Sequence, residues 1–149
     1  MRRTYGLAAT AVALAVLTAV KLRAQQQEWT PPSREMPEMP AQAQLGGGWR
    51  STLGAWFRGA DEGLDGIRAV GDGAPRSIGA ARPQLVRFMG GSRPVAEWTD
   101  RNGDGRADKV EVYRGGALVY QLVDSDYNGT ANVLRVYDAS GALARENRY

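Results

Sequence analysis

The densest group of oxygen-bearing side chains in this 149-residue chain runs Asp100-Arg-Asn102-Gly-Asp104-Gly105-Arg106-Ala-Asp108-Lys-Val-Glu111. It meets every specified position of the calcium-loop pattern D-x-[DN]-x-[DN]-G-x5-E. The spacing has a chemical reason. Asp100, Asn102 and Asp104 present side-chain oxygens at positions 1, 3 and 5, and Gly105 permits the sharp turn. Arg106 contributes its backbone carbonyl, Asp108 acts at position 9, often through water, and Glu111 closes the shell with both carboxylate oxygens. An all-oxygen ligand set suits a hard cation, so the expected cofactor is Ca²⁺.

Other site chemistries are excluded by composition. The chain has no cysteine and no histidine, so it can form no disulfide, thiolate metal site, cysteine nucleophile or serine–histidine relay. An enzyme would have to work with carboxylates, arginine, tyrosine or serine alone, the one hypothesis being Asp104, Asp108 and Glu111 around a metal. The carboxylates are better explained as a cation site, and the expectation is a non-catalytic protein with no small-molecule substrate.

The net charge of +3 is unevenly distributed: residues 1–93 hold twelve Lys/Arg against seven Asp/Glu, and residues 94–149 hold seven against nine. The basic residues are spread singly through a Gly- and Pro-rich tract, with no run or reading helix for nucleic acid. Arg2, Arg3, Lys21 and Arg23 flank seventeen uncharged residues, 4–20, which as a helix would rise about 25 Å. This reads as an uncleaved signal-anchor helix over 1–23, since the exit at Lys21-Leu22-Arg23-Ala24 makes a poor cleavage site. The alternative is a cleaved signal peptide. A loop of this kind is useful where calcium is abundant, so the rest of the chain is expected to face the periplasm or outer side, anchored at the inner membrane.

The elements that must carry the loop follow. Residues 24–48, rich in Gln, Pro and Gly, read as a tether able to lie along a partner. Within 49–93, Trp49, Leu53, Trp56, Ala60, Leu64 and Ile67 fall at helical spacing and predict an amphipathic helix, against the resistance of Gly54, Gly59, Gly63 and Gly66. That helix would cover the β-domain's apolar face or lie on a membrane or partner. Residues 71–93 read as loop with one short element.

Residues 94–149 read as strands, because Val95-Ala-Glu-Trp98-Thr and Val110-Glu-Val112-Tyr113 flank the loop where helices would be usual. Asp124-Ser-Asp126-Tyr-Asn128-Gly129-Thr130-Ala-Asn132 repeats the loop 24 residues on, and each copy is followed by a hairpin. Asn128 and Asn132 replace carboxylates and Arg135 stands in the closing position, so this copy is expected to be a structural Asx-type turn. The unit resembles the DxDxDG loop-plus-hairpin repeats of bacterial secreted and surface proteins, whose calcium loops look like an EF-hand loop without its helices. That resemblance covers 95–149 and implies ligand roles for Asp100, Asn102, Asp104, Arg106, Asp108 and Glu111.

The fold class expected is mainly β: a small antiparallel meander of loop-plus-hairpin repeats, with one N-terminal membrane helix and one amphipathic helix. The function expected is that of a membrane-anchored accessory subunit, docking on an envelope complex through residues 25–70 and the β-domain. A secreted or surface Ca²⁺-dependent binding module is the alternative.

Overall fold

A computed structural model of the chain describes residues 29–73 and 81–149. The anchor expected over 1–23 lies outside the described residues; among these, no helix is long and apolar enough to cross a membrane. The strands, the helix and residues 31–48 all belong to one compact unit, Pro31–Tyr149.

Seven strands form one antiparallel sheet in chain order: β1 (Ile67–Asp72), β2 (Leu85–Gly90), β3 (Arg93–Thr99), β4 (Lys109–Arg114), β5 (Ala117–Val123), β6 (Val133–Tyr137) and β7 (Leu143–Arg148). The meander is as expected, but it begins earlier. Gly71 and Asp72 complete β1, and the short element expected within 71–93 is β2, because Leu85-Val-Arg-Phe-Met alternates buried and outward positions as a half-buried strand does. The hairpin repeat therefore occurs three times. The pairing register shifts between Phe88 and Met89, between Val112 and Tyr113, and between Val136 and Tyr137, at 24-residue intervals. The residues skipped opposite these points are Val95, Val119 and Ala144. A bulge at the same place in every hairpin gives each one the same bend and twist.

One face of the sheet carries Val86, Phe88, Ala96, Trp98, Val110, Val112, Tyr120, Leu122 and Leu134, all buried. The predicted amphipathic helix is corrected here. Within 49–67 only α1 (Trp49–Leu53) is α-helical; a 3-10 turn follows at Gly54–Phe57, Gly59 takes φ +74°, another 3-10 turn spans Leu64–Gly66, and Ile67 already belongs to β1. Four glycines remove helix propensity, and tertiary packing then decides the path. The apolar residues are nonetheless buried on the sheet. Trp49 and Phe57 contact Phe88 at ring-centroid distances of 5.0 and 4.7 Å, and Trp56 meets Trp98 edge-on at 5.8 Å. These aromatics are consumed by the core, which is the covering role the sequence suggested.

The opposite face carries a polar row that crosses six strands in register: Arg87, Glu97, Glu111, Gln121, Arg135 and Glu146. Arg87 Nε bonds Glu97 Oε2 at 2.8 Å, Gln121 Nε2 donates to Glu111 Oε1 at 2.8 Å, and Arg135 donates to both Gln121 Oε1 (2.8 Å) and Glu146 Oε2 (2.7 Å). Four of the five neighbouring pairs are opposite in charge or hydrogen-bonded and favour this register, against the like-charge pair Glu97–Glu111.

Tight turns join β2 to β3 and β4 to β5, while the connections 100–108 and 124–132 lie together at the other end of the sheet. The tether expectation is corrected at that end. Met36 and Met39 are buried, and two antiparallel bridges, Glu35 to Thr130 and Glu38 to Arg106, lay the segment across both loops. Prolines keep it extended, as composition implied, but the surface it follows is this chain's own.

Candidate metal centre

The first loop is held open by its own backbone. Asp100, 4% exposed, accepts from the amides of Gly103 (2.6 Å) and Gly105 (2.9 Å), and Asp108, 1% exposed, accepts from those of Arg101 (2.5 Å) and Asn102 (3.2 Å) through Oδ2. Gly103 and Gly105 take φ of +78° and +88°, the left-handed region that a side chain resists. The strands on either side fix the ends, since Asp108 N donates to Thr99 O at 2.7 Å and closes the loop at its base.

Three carboxylates converge as a result. Asp100, Asp104 and Asp108 each offer an oxygen, and these oxygens lie within 4.8 Å of one another, a group that could hold a metal ion. Asp108 has its pKa raised above the ordinary carboxylate value, chiefly by burial, and further by the neighbouring charges of Asp100 and Asp104. The cluster thus brings two buried carboxylates, Asp100 and Asp108, together with the exposed Asp104, and a cation would relieve the repulsion and the cost of burial.

The other expected ligands are placed as follows. Asn102 Oδ1 accepts from the Asp104 amide at 3.0 Å, and its Nδ2 donates to Asp104 Oδ2 at 3.0 Å, so it orients the central carboxylate. Arg106 N donates to Asp104 Oδ1 at 2.8 Å, and its guanidinium reaches Met36 O at 3.1 Å. Glu111 lies in β4 in the polar row, bonded to Gln121 and paired with Lys109 at 3.0 Å, and is not one of the three converging carboxylates. The reason is strand periodicity: once the chain enters β4 at Lys109, Glu111 must share a face with Lys109 rather than turn back over the loop.

The second loop reproduces the turn with weaker ligands. Asp124 accepts from Gly129 N at 2.7 Å as Asp100 does from Gly105, and Thr130 N bonds Asn128 Oδ1 at 2.8 Å as Arg106 N bonds Asp104. Ser125 N bonds Asn132 Oδ1 at 3.1 Å in the place of the Arg101–Asp108 contact. Amide oxygens make the same turn contacts without the charge.

The segment that grips both loops escaped the sequence reading. Met39 N donates to Gly105 O (2.8 Å) and Ala107 N to Pro37 O (2.9 Å); Met36 N donates to Gly129 O (2.9 Å) and Ala131 N to Arg34 O (2.8 Å). The guanidinium of Arg82 braces it at the carbonyl of Met39. The signal available was the doubled Glu-Met-Pro of residues 35–40, which places large apolar residues at a regular interval in an otherwise polar stretch.

Comparison with protein-family models, curated proteins and solved structures finds no match. The reading of the site therefore rests on its own residues and geometry.

Proposed function

We propose that the chain is a non-catalytic, extracytoplasmic accessory protein, anchored by its N-terminal apolar segment, whose β-sheet module is rigidified by Ca²⁺ in the loop 100–108 and docks on a larger envelope complex. The convergence of Asp100, Asp104 and Asp108 in a loop closed at its base by two strands carries this reading. Calcium takes six to eight oxygens in flexible geometry. The three aspartates, the Arg106 carbonyl and water would supply them, and Asp108 would take the closing role that the sequence assigned to Glu111.

The cation would hold the turn rather than trigger an opening, because strands joined by in-register pairs flank it where a sensor has movable helices. The support for anchoring is the uncharged run 4–20 with its basic flanks.

The test is thermal unfolding of the full chain with Ca²⁺ and with chelator. A ligand at 100 times its Kd stabilises the native state by about 2.7 kcal/mol, so Ca²⁺ should raise the Tm of the wild type and leave Asp104→Ala unmoved. A variant that responds like the wild type would refute the site.

A further inference from the structure

Residues 34–42 meet the sheet's loop end with a period of their own. Met36, Met39 and Gln42 donate their amides to the carbonyls of Gly129, Gly105 and Ala81, at 2.9, 2.8 and 2.8 Å. The donors step by three residues and the acceptors by twenty-four. Three residues of extended polyproline-type chain advance about 9.3 Å, and two strand-to-strand steps across a sheet cover about 9.6 Å. The strap and the repeat are therefore commensurate. Pro37 and Pro40 follow the first two donors, lack amides of their own and hold the chain extended; Ala41 has φ −64° and ψ 153°. The return bonds, from Ala107 to Pro37 and from Ala131 to Arg34, flank the bridged residues Arg106 and Thr130. The residue one repeat before Ala107 is Pro83, which has no amide to return to the strap, and the strap leaves the extended form to enter a 3-10 turn at Gln42–Gln44. At its other end Arg34 bonds Ala131 O through two nitrogens, at 3.1 and 3.3 Å, and lies over the ring of Tyr149 at 4.2 Å.

We propose that residues 34–42 are a built-in peptide ligand of the loop end, and that strap docking and cation occupancy of the first loop stabilise each other. The second half rests on the cation reading above. The grip of the strap falls on Gly105 and Ala107, either side of Arg106, whose carbonyl the cation would use. Ordering that peptide group for the ion orders it for the strap, and the strap carries the order to the second loop, which has fewer charges to attract an ion. Coupling of this kind is reciprocal.

Hydrogen–deuterium exchange on the full chain tests both halves, read at Met36, Met39, Ala107 and Ala131 in Ca²⁺ and in chelator. Ca²⁺ should slow exchange about tenfold at all four, including Met36 and Ala131 at the second loop, and Asp104→Ala should abolish the gain. Slowing confined to residues 100–106, with Met36, Met39, Ala107 and Ala131 unchanged, would overturn the coupling and leave the cation reading standing; slowing at Met39 and Ala107 without Met36 and Ala131 would overturn only its transmission to the second loop; no response anywhere would sink coupling and cation reading together. The ligand half is read without cation through Met39→Pro, which removes the central donor together with the buried Met39 side chain, against Met39→Ala, which removes the side chain and keeps the donor. Exchange at Ala107 and Ala131 should accelerate about tenfold with tryptophan fluorescence unchanged. Unaltered exchange, or loss of the whole sheet, would overturn it, the latter by making the strap part of the core.

Discussion

At the level of single residues, Asp100 and Asp124 occupy equivalent turns yet are expected to differ in what they answer to. Each carboxylate caps two backbone amides while nearly inaccessible to water. Replacing Asp124 by alanine leaves those amides without their partner and should cost about 1–3 kcal/mol in urea unfolding, equally with and without Ca²⁺. Asp100→Ala should cost a similar amount in chelator and more in Ca²⁺. Tyr113 gives a separate test. Its hydroxyl is pushed up to about 12, first by burial and then by the charges of Glu111 and Glu97 on the same face. A raised pKa in the folded state means that the protonated form stabilises the fold fully below the ordinary tyrosine range, and that this contribution is lost as pH rises from about 10 toward 12. An alkaline absorbance titration should show a late phenolate step that is missing in Tyr113→Phe. The loop's turn was legible because carboxylates that cap backbone amides and the glycines between them follow strict spacing. The fate of Glu111 was not, because the loop pattern assumes a helix after position 9 and a strand turns the same residue to another surface.

Elements show a different balance between local pattern and packing. The strands β3 to β7 could be read from alternation and from the repeat, and β2 only as a short element of unassigned type, because Gly- and Pro-rich flanks isolate its apolar run. The helix expected over residues 49–67 failed because its apolar spacing serves burial in any compact path, and the glycines made a broken path cheaper. Its side chains were nevertheless correctly marked as core. Trp98 touches Trp56, Phe57 and Phe88 in one cluster and is 1% exposed. Trp98→Ala should cost about 3–5 kcal/mol, measured by urea unfolding. The tether was legible as extended chain but not as a bound one, since main-chain hydrogen bonds leave no trace in side-chain composition.

For the molecule as a whole, residues 31–149 form one compact unit in which the aromatic cluster, the polar row and the loop end share the same seven strands. Unfolding should accordingly be a single cooperative transition. Tryptophan fluorescence and far-UV circular dichroism should give coincident urea curves, and separated midpoints would show that the sheet is not one cooperative unit. Anchoring belongs to this scale too. Intact mass of native protein extracted from membranes in mild detergent should be that of the full chain with co-purifying partners. A mass lacking the first two dozen residues, without partners, would favour the secreted module.

The bulges at Val95, Val119 and Ala144 have a bearing on how such a chain can change its size. Each hairpin ends with its inward and outward positions in the same phase as it began, so a further 24-residue unit spliced between two loops would neither invert a face nor shift a neighbour's register. The sheet would widen by about 9.6 Å per added unit. A strap lengthened by one Glu-Met-Pro triplet would span the new loop. Growth by whole modules is thus open to this architecture, whereas insertion of a single residue in the strap would throw every later contact out of step.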